Sequence, residues 1–333
     1  MIKEFEIKNL ANIEYLKLSN LSNINLIIGE NDSGKTMILK SLYAMVKSLE
    51  EYKKGNDNRS LKEIISDKFY WTFQVSRLGE LVKKGSASDL EIDMKVDNQN
   101  FKISFGSKTK TNIINVSECL NRDKNSIFLP AKEVLSLFQV IKKSRAIDKE
   151  FGFDDTYYDL VKALEKEPQK GNNFQNFAKG KKLLKDLIKG RVEYKNGNWI
   201  FKKGNMKIPI FSTAEGIKKI AILDRLLSNR YLSPYSIIFI DEPESVLHPK
   251  AIIEFLDIIY LLSKQHIQIF MATHSFFVLK KLMLIAKKNN INIPIISIEN
   301  NKFLQYNLKD GMPLNPIIDV SVELYEEELD IEL

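Results

Sequence analysis

A chain of 333 residues with 44% hydrophobic and 28% charged side chains is made like an ordinary globular protein, long enough to bury a large core in one or two domains. One cysteine, Cys119, excludes a disulfide framework and a thiolate metal site; His248, His266 and His274 are too scattered for a metal cluster. Net charge is +7, no run of about 18 apolar residues occurs, and residues 1–10 lack a signal-peptide layout, so a cytoplasmic protein with no membrane partner is expected.

Residues 2–8 and 13–18 alternate apolar and polar, which predicts two half-buried strands paired across the short Asn9-Leu10-Ala11-Asn12 link. Residues 25–28 read as a buried strand and 37–47 as a helix. Between them, Gly29-Glu30-Asn31-Asp32-Ser33-Gly34-Lys35-Thr36 fits G-x-x-x-x-G-K-[ST] at every fixed position. The glycines let the backbone curl, so that the amides of Asn31, Ser33 and Gly34 and the helix N-terminus point at phosphate oxygens. Lys35 adds a point charge for the β and γ phosphates, and the Thr36 hydroxyl is placed to ligate Mg²⁺. A glycine turn that merely precedes Lys-Thr would not need the strand and helix on either side. The pattern therefore implies ATP and Mg²⁺ as ligands.

The polar residues 53–59 interrupt the nucleotide core, and 49–210 is expected to be an inserted α+β subdomain. Within it, 61–67 reads as a helix and 68–74, rich in aromatics, as a strand or buried loop. Residues 90–96 and 101–105 read as a hairpin joined by Asp97-Asn98-Gln99-Asn100, and 126–130 as a short strand. Helices are expected over 132–143, 155–166 and 174–189, and a second hairpin joins 192–194 to 199–202. Residues 131–210 hold 18 Lys or Arg against 10 Asp or Glu, which carries the whole chain's positive excess. Such a stretch suits binding to nucleic acid through phosphate neutralisation, and equally suits a solvated lysine-rich face.

Residues 236–240 are continuously apolar, as a strand buried on both faces should be, and end in Asp241-Glu242-Pro243. Carboxylates at such a strand end lie where open α/β sheets bind ligands. Asp241 is placed to hold Mg²⁺ directly or through water, and Glu242 to deprotonate the attacking water. Residues 268–272 form a second buried strand ending in Thr273-His274-Ser275. His274 there can contact the γ phosphate, or be a structural histidine.

A phosphate loop, a distant Asp241-Glu242-Pro243-Glu244 run continuing to Leu247-His248-Pro249, and then Ala272-Thr273-His274-Ser275 together resemble the ATP-binding cassette class. Within that class the chain is similar to the chromosome-associated branch: RecF, the heads of SMC proteins and the ATPase part of OLD-family nucleases. The likeness covers residues 1–48 and 211–308 and implies a cassette head with a mixed β-sheet. It implies that Ser212, in Ser212-Thr213-Ala214-Glu215-Gly216, belongs to the signature that binds the γ phosphate held by a second subunit. One glycine stands there where two adjacent ones are usual, and a plain helix cap is the other reading. It also implies that Gln74 senses Mg²⁺ and the γ phosphate, though a surface glutamine fits that position as well. His248 reads as structural within its turn.

The resemblance further implies a homodimer, or a higher even oligomer, built around an ATP sandwich. No second active site is expected after residues 294–308. The acidic end, 309–333, could dock a partner or be a solvated helix. A stand-alone cassette ATPase of this kind resembles ATPase components of bacterial anti-phage systems, in which a separate nuclease or toxin is the effector. An ATPase controlled by nucleic acid or by a partner, in phage defence or DNA repair, is thus expected. The alternatives are a slowly hydrolysing scaffold that holds an effector inactive, and a transporter's ATPase subunit.

Overall fold

The computed structural model describes residues 1–169, 177–299 and 302–332. The alternating start of the chain forms β1 (Ile2–Leu10) and β2 (Ile13–Leu18), antiparallel, with Leu10 opposite Ile13. β3 (Ile24–Gly29) is buried at every position and runs into the phosphate loop, and α1 (Lys35–Glu51) leads out of it.

α2 (Leu61–Phe73) continues as helix through the aromatic run that the sequence suggests is extended. Helical spacing explains the difference. Ile65, Phe69 and Phe73 recur at every fourth position; the first two are fully buried, and the rings of Phe69 and Phe73 lie 5.4 Å apart. A capping box between Ser60 and Glu63 starts the helix.

β4 (Leu90–Val96) and β5 (Gln99–Phe105) form the expected hairpin, but on a two-residue turn. Asp97 and Asn98 both take positive φ, 46° and 68°, the conformation that matches strand twist and that Asp and Asn tolerate. β6 (Asn115–Val116) follows, then β7 (Ser126–Leu129). The helix expected over 132–143 is confined to α3 (Phe138–Lys143), continued by a π-turn over Ser144–Asp148. Ahead of it the Glu133 carboxylate accepts from the Ser136 amide, a local bond that competes with helix.

α4 (Asp155–Glu165) is capped by Asp154, and α5 (Phe177–Ile188) follows. Residues 174–176, where a helix was expected to begin, lie outside the described residues. β8 (Arg191–Lys195) and β9 (Asn198–Lys203) form the second predicted hairpin, and β10 (Met206–Pro209) joins it as a third strand. Then come α6 (Glu215–Ser228), β11 (Ile237–Asp241), α7 (Pro249–Ser263) and β12 (Gln268–Thr273). The chain continues through α8 (Phe276–Asn289), β13 (Pro294–Glu299), β14 (Lys302–Asn307) and α9 (Pro316–Glu332).

A six-stranded sheet in the order β14-β13-β3-β12-β11-β7 is parallel except at β14. Alternation along its strands divides two cores. Ile27, Phe239 and Phe270 pack with α1, α2 and the antiparallel sheet β2-β1-β4-β5-β6, whereas Leu26, Ile240 and Met271 pack with α4 to α8. Gln268 on β12 stitches the two sheets, exchanging hydrogen bonds with both backbone groups of Ile2.

The stretch 49–210 does not stand apart as an insertion. Its β4, β5 and β6 complete the sheet that β1 and β2 begin, and β7 closes the edge of the parallel sheet beside β11. Among the described residues no helix is long and apolar enough to cross a membrane.

Candidate nucleotide site

β3 and β11 both pair with β12, so the segments that follow these three strands meet at one edge of the sheet. At the end of β3 the chain must turn sharply. A Cβ on Gly29 would stand 2.7 Å from Ser33 Oγ and 2.8 Å from the Ile298 carbonyl oxygen, so only glycine fits. Gly34, with φ 92°, opens α1 in a conformation that L side chains rarely adopt.

Inside this curl Ser33 Oγ is buried without a hydrogen-bond partner. Lys35 is also buried, and its Nζ donates to the carbonyl oxygens of Gly29 at 2.8 Å and Glu30 at 2.5 Å. Burial lowers its pKa, although Asp241, Glu242, Glu244 and Glu30 oppose that shift. An orphaned hydroxyl and an ammonium held only by backbone carbonyls are groups that phosphate oxygens would satisfy.

One residue further on, Thr36 Oγ1 donates to the Asp241 carboxylate at 2.9 and 3.1 Å, joining positions 205 residues apart. Burial raises the Asp241 pKa, with the Thr36 bond working against it. A hydroxyl beside a carboxylate is the oxygen donor set that Mg²⁺ takes. Among the described residues no three of His, Cys, Asp or Glu converge as a metal site, so an ion held here would need further oxygens from phosphate or water.

Glu242 leaves β11 in the left-handed region, φ 47°, with its amide bonded to the Ala272 carbonyl at 2.9 Å and its carboxylate side chain 37% exposed. His274 Nδ1 lies 3.7 Å from Glu242 and 3.6 Å from Glu244. The register that places Asp241 opposite Ala272 creates this meeting. Glu244 Oε1 also accepts from Thr273 Oγ1 at 2.8 Å and from the His274 amide at 3.1 Å, locking the β11 loop to the end of β12.

Among the described residues, the predicted site residues Ser212 and Gln74 make no hydrogen bond to this group. Ser212 is exposed in a 3₁₀ turn, Ile210–Ser212, and the residue that opens α6 is Ala214, without a side-chain cap. Gln74 closes α2 with left-handed backbone, and its Nε2 is buried without a partner. Asn31 lies exposed on the loop, and His248 caps α7 by accepting from the Lys250 amide.

Several neighbours gave no sequence signal. Lys40 on α1 pairs with Asp154 at 2.6 Å and so docks the start of α4 beside the loop. Burial, then Asp154 and Asp241, push the Tyr157 hydroxyl up to about 12, which places that ring within the field of Asp241. Lys219 on α6 donates to the Glu242 carbonyl. Only Glu244, inside the acidic run, was visible in advance.

The family described as "AAA domain, putative AbiEii toxin, Type IV TA system" matches residues 24–280. The DNA replication and repair protein RecF of Pediococcus pentosaceus is 23% identical over 242 residues, which is 71% of this chain and 61% of that protein. RecF of Bacillus cereus is 31% identical over 106 residues, 31% of this chain and 25% of its own length. The chain thus spans less than two thirds of the length of these curated relatives.

Among solved structures, an Smc head bound to the C-winged helix domain of ScpA superposes with a TM-score of 0.54 at 13% identity, covering 93% of this chain and 99% of that one. An Smc head with an extended coiled coil bound to the C-terminal domain of ScpA, derived from Pyrococcus furiosus, gives 0.50 at 13% identity, covering 98% of each. At such identity the likeness concerns the fold alone. That fold is a phosphate-loop NTPase head of ATP-binding cassette type, as the motifs lead one to expect.

Proposed function

Because the chain belongs to the AAA-domain family described as putative AbiEii toxin of a type IV TA system, and is an ABC-like ATPase of the RecF and SMC kind, we propose that it binds and hydrolyses ATP at the site around Lys35 and Asp241. The observation that carries this reading is the hydrogen-bonded pair of Thr36 and Asp241, with Glu242 the next residue along.

The loop amides and Lys35 bind and orient the phosphates, Lys35 exchanging the carbonyls of Gly29 and Glu30 for phosphate oxygens. Thr36 and Asp241 would hold Mg²⁺; when bound, the ion supplies positive charge to the phosphate oxygens. Glu242 takes the proton of the attacking water, and its partial exposure leaves the carboxylate open to that water. His274, within 3.7 Å of it, orients the carboxylate and faces the γ phosphate.

The exposed, uncapped start of α6, with Ser212 just ahead of it, is the surface offered to the ATP of a second copy, so the active unit is a homodimer. Nucleic acid or an effector protein, such as a nuclease or toxin, controls the cycle, in phage defence or DNA repair. That role follows the family description and the RecF relatives, together with the basic residues of 131–210. Steady-state hydrolysis by the purified chain, with and without linear double-stranded DNA and with Mg²⁺ withdrawn, tests the reading. Mg²⁺-dependent turnover that rises with DNA is expected. ATP bound but never hydrolysed under any of these conditions would leave a scaffold in place of an enzyme.

A further inference from the structure

Lys219 lies one turn into α6 and is only 5% exposed. Its Nζ donates to the carbonyl oxygen of Glu242 at 2.6 Å and reaches that of Ser245 at 3.4 Å. These main-chain oxygens are its hydrogen-bond partners; Glu244, Glu242 and Asp241 act on it only as a surrounding field. Burial outweighs that field and pushes its pKa down to about 8, so keeping the ammonium here opposes folding and calls for a compensating use.

The loop it touches needs support. Glu242 and Val246 both take left-handed backbone, φ 47° and 61°, a region that non-glycine residues hold only when their surroundings fix them. The first turn of α6 meets the same loop a second time. A Cβ on Gly216 would stand 3.0 Å from the Val246 carbonyl oxygen and 3.1 Å from Leu247 Cδ2. The helix therefore grips the segment 242–247 at both ends, by a hydrogen-bonded ammonium and by close packing.

We infer that Lys219 is a positioning residue which fixes the backbone of Glu242 and ties the orientation of that carboxylate to the N-terminal turn of α6. The inference rests on the reading of Glu242 as the base. It adds a direction of control: whatever engages the exposed start of α6, above all the nucleotide of a second copy, moves the turn that holds this chain's own base. Each site of a dimer would thereby sense the filling of the other through a single helix turn.

Lys219→Met keeps the length of the side chain and removes the donor, whereas Lys219→Arg keeps a donor. Three quantities separate the possibilities in the full chain: kcat, KM together with the affinity for a fluorescent ATP analogue, and hydrogen–deuterium exchange of the peptide spanning 241–248 without nucleotide. Lys219→Met is expected to lower kcat at least tenfold, with KM and affinity within twofold of wild type, and to speed exchange at 242–247. Lys219→Arg should restore protection and most of the turnover. Wild-type kcat and exchange in Lys219→Met would overturn the inference, as would a loss of affinity equal to the loss of kcat. A melting curve establishes that the variant is folded; should Lys219→Met not fold, Lys219→Gln, too short to span the gap, must give the same split. If the wild type hydrolyses no ATP, the reading of Glu242 is at fault, and the exchange experiment still decides whether Lys219 holds the loop.

Discussion

Lys35 occupies its place at a cost, since burial lowers its pKa more than Asp241, Glu242, Glu244 and Glu30 raise it, and its ammonium donates to two backbone carbonyls. An ammonium so placed gains stronger acceptors when phosphate oxygens replace the carbonyls. Lys35→Ala removes at least two charge-assisted bonds to phosphate, each worth about 1.5–3 kcal/mol. ATP affinity should fall by about two to four orders of magnitude while the chain stays folded, and titration with a fluorescent ATP analogue reads this directly. Unchanged affinity would mean the loop does not bind phosphate. Glu242→Gln keeps shape and loses the base, so ATP should bind normally and kcat should fall about 10²–10⁴-fold. Turnover at the wild-type rate would transfer the role elsewhere, with His274 and Glu244 the nearest alternatives. The position of Lys35 was legible from the G-x-x-x-x-G-K-[ST] pattern, and that of Glu242 from the apolar run that ends just before it, which a buried strand explains. Lys219 was not legible, because its partner is 23 residues away and packing alone brings the two together.

α4 is held to α1 and α2 by buried charge. Asp159 accepts from Tyr43 Oη at 2.8 Å and from Lys68 at 3.0 Å, and pairs with Lys162 at 2.7 Å; Lys68 also reaches Asp155 at 2.8 Å and Glu51 at 3.0 Å. Burial alone would raise the Asp159 carboxyl, but Lys68, Lys162 and Lys47 outweigh it and hold the carboxyl well below the usual carboxylate range. Asp159→Ala leaves the buried Tyr43 hydroxyl without this acceptor and Lys68 with two carboxylates in place of three, and should cost about 1–3 kcal/mol in urea unfolding. A group whose pKa is depressed by folding stabilises above its unfolded value, about 3.9, and loses that contribution as pH falls toward the folded value. Wild-type stability should therefore drop on acidification below about pH 4, and the variant should show a shallower fall. Equal slopes would remove Asp159 from the acid response. The helix that carries Lys68 was half legible. Its first turns, 61–67, read correctly, but the crowded aromatics at 69–73 masked a four-residue spacing that becomes clear only once Ile65, Phe69 and Phe73 are seen on one face of the helix. The two-residue turn at Asp97-Asn98 was missed because Gln99 and Asn100 are turn-prone residues that pair here as strand.

At the scale of the molecule, the nucleotide core was legible from local runs, whereas the path of 49–210 was not. β7 finds its partner β11 more than a hundred residues later, and β4 pairs back to β1, so membership of a sheet depended on pairings that no window of sequence contains. The same separation governs the charge. Part of the positive charge of 131–210 is taken up by buried carboxylates: Arg145 pairs with Asp155, and Lys162, itself exposed, with Asp159. What remains outward includes Lys182 and Lys185, exposed on α5; Lys181 and Lys185 also line a 380 Å³ cleft in which Arg191 and Lys195 pair with Glu193. Counterion release makes the affinity of such a surface for duplex DNA fall with salt in proportion to the phosphates neutralised. If this face binds DNA, replacing Lys181, Lys182 and Lys185 together with Glu should weaken binding uniformly across sequences. The slope of log affinity against log salt should drop by about one for each phosphate that is no longer neutralised. Fluorescence anisotropy with one labelled duplex over a series of salt concentrations gives both quantities. Loss of affinity with an unchanged slope would mean that the substitutions disturbed the fold of α5 and that the phosphates are met elsewhere. An unchanged affinity and slope would make these lysines a solvated face, and control of the ATPase would then fall to a protein partner.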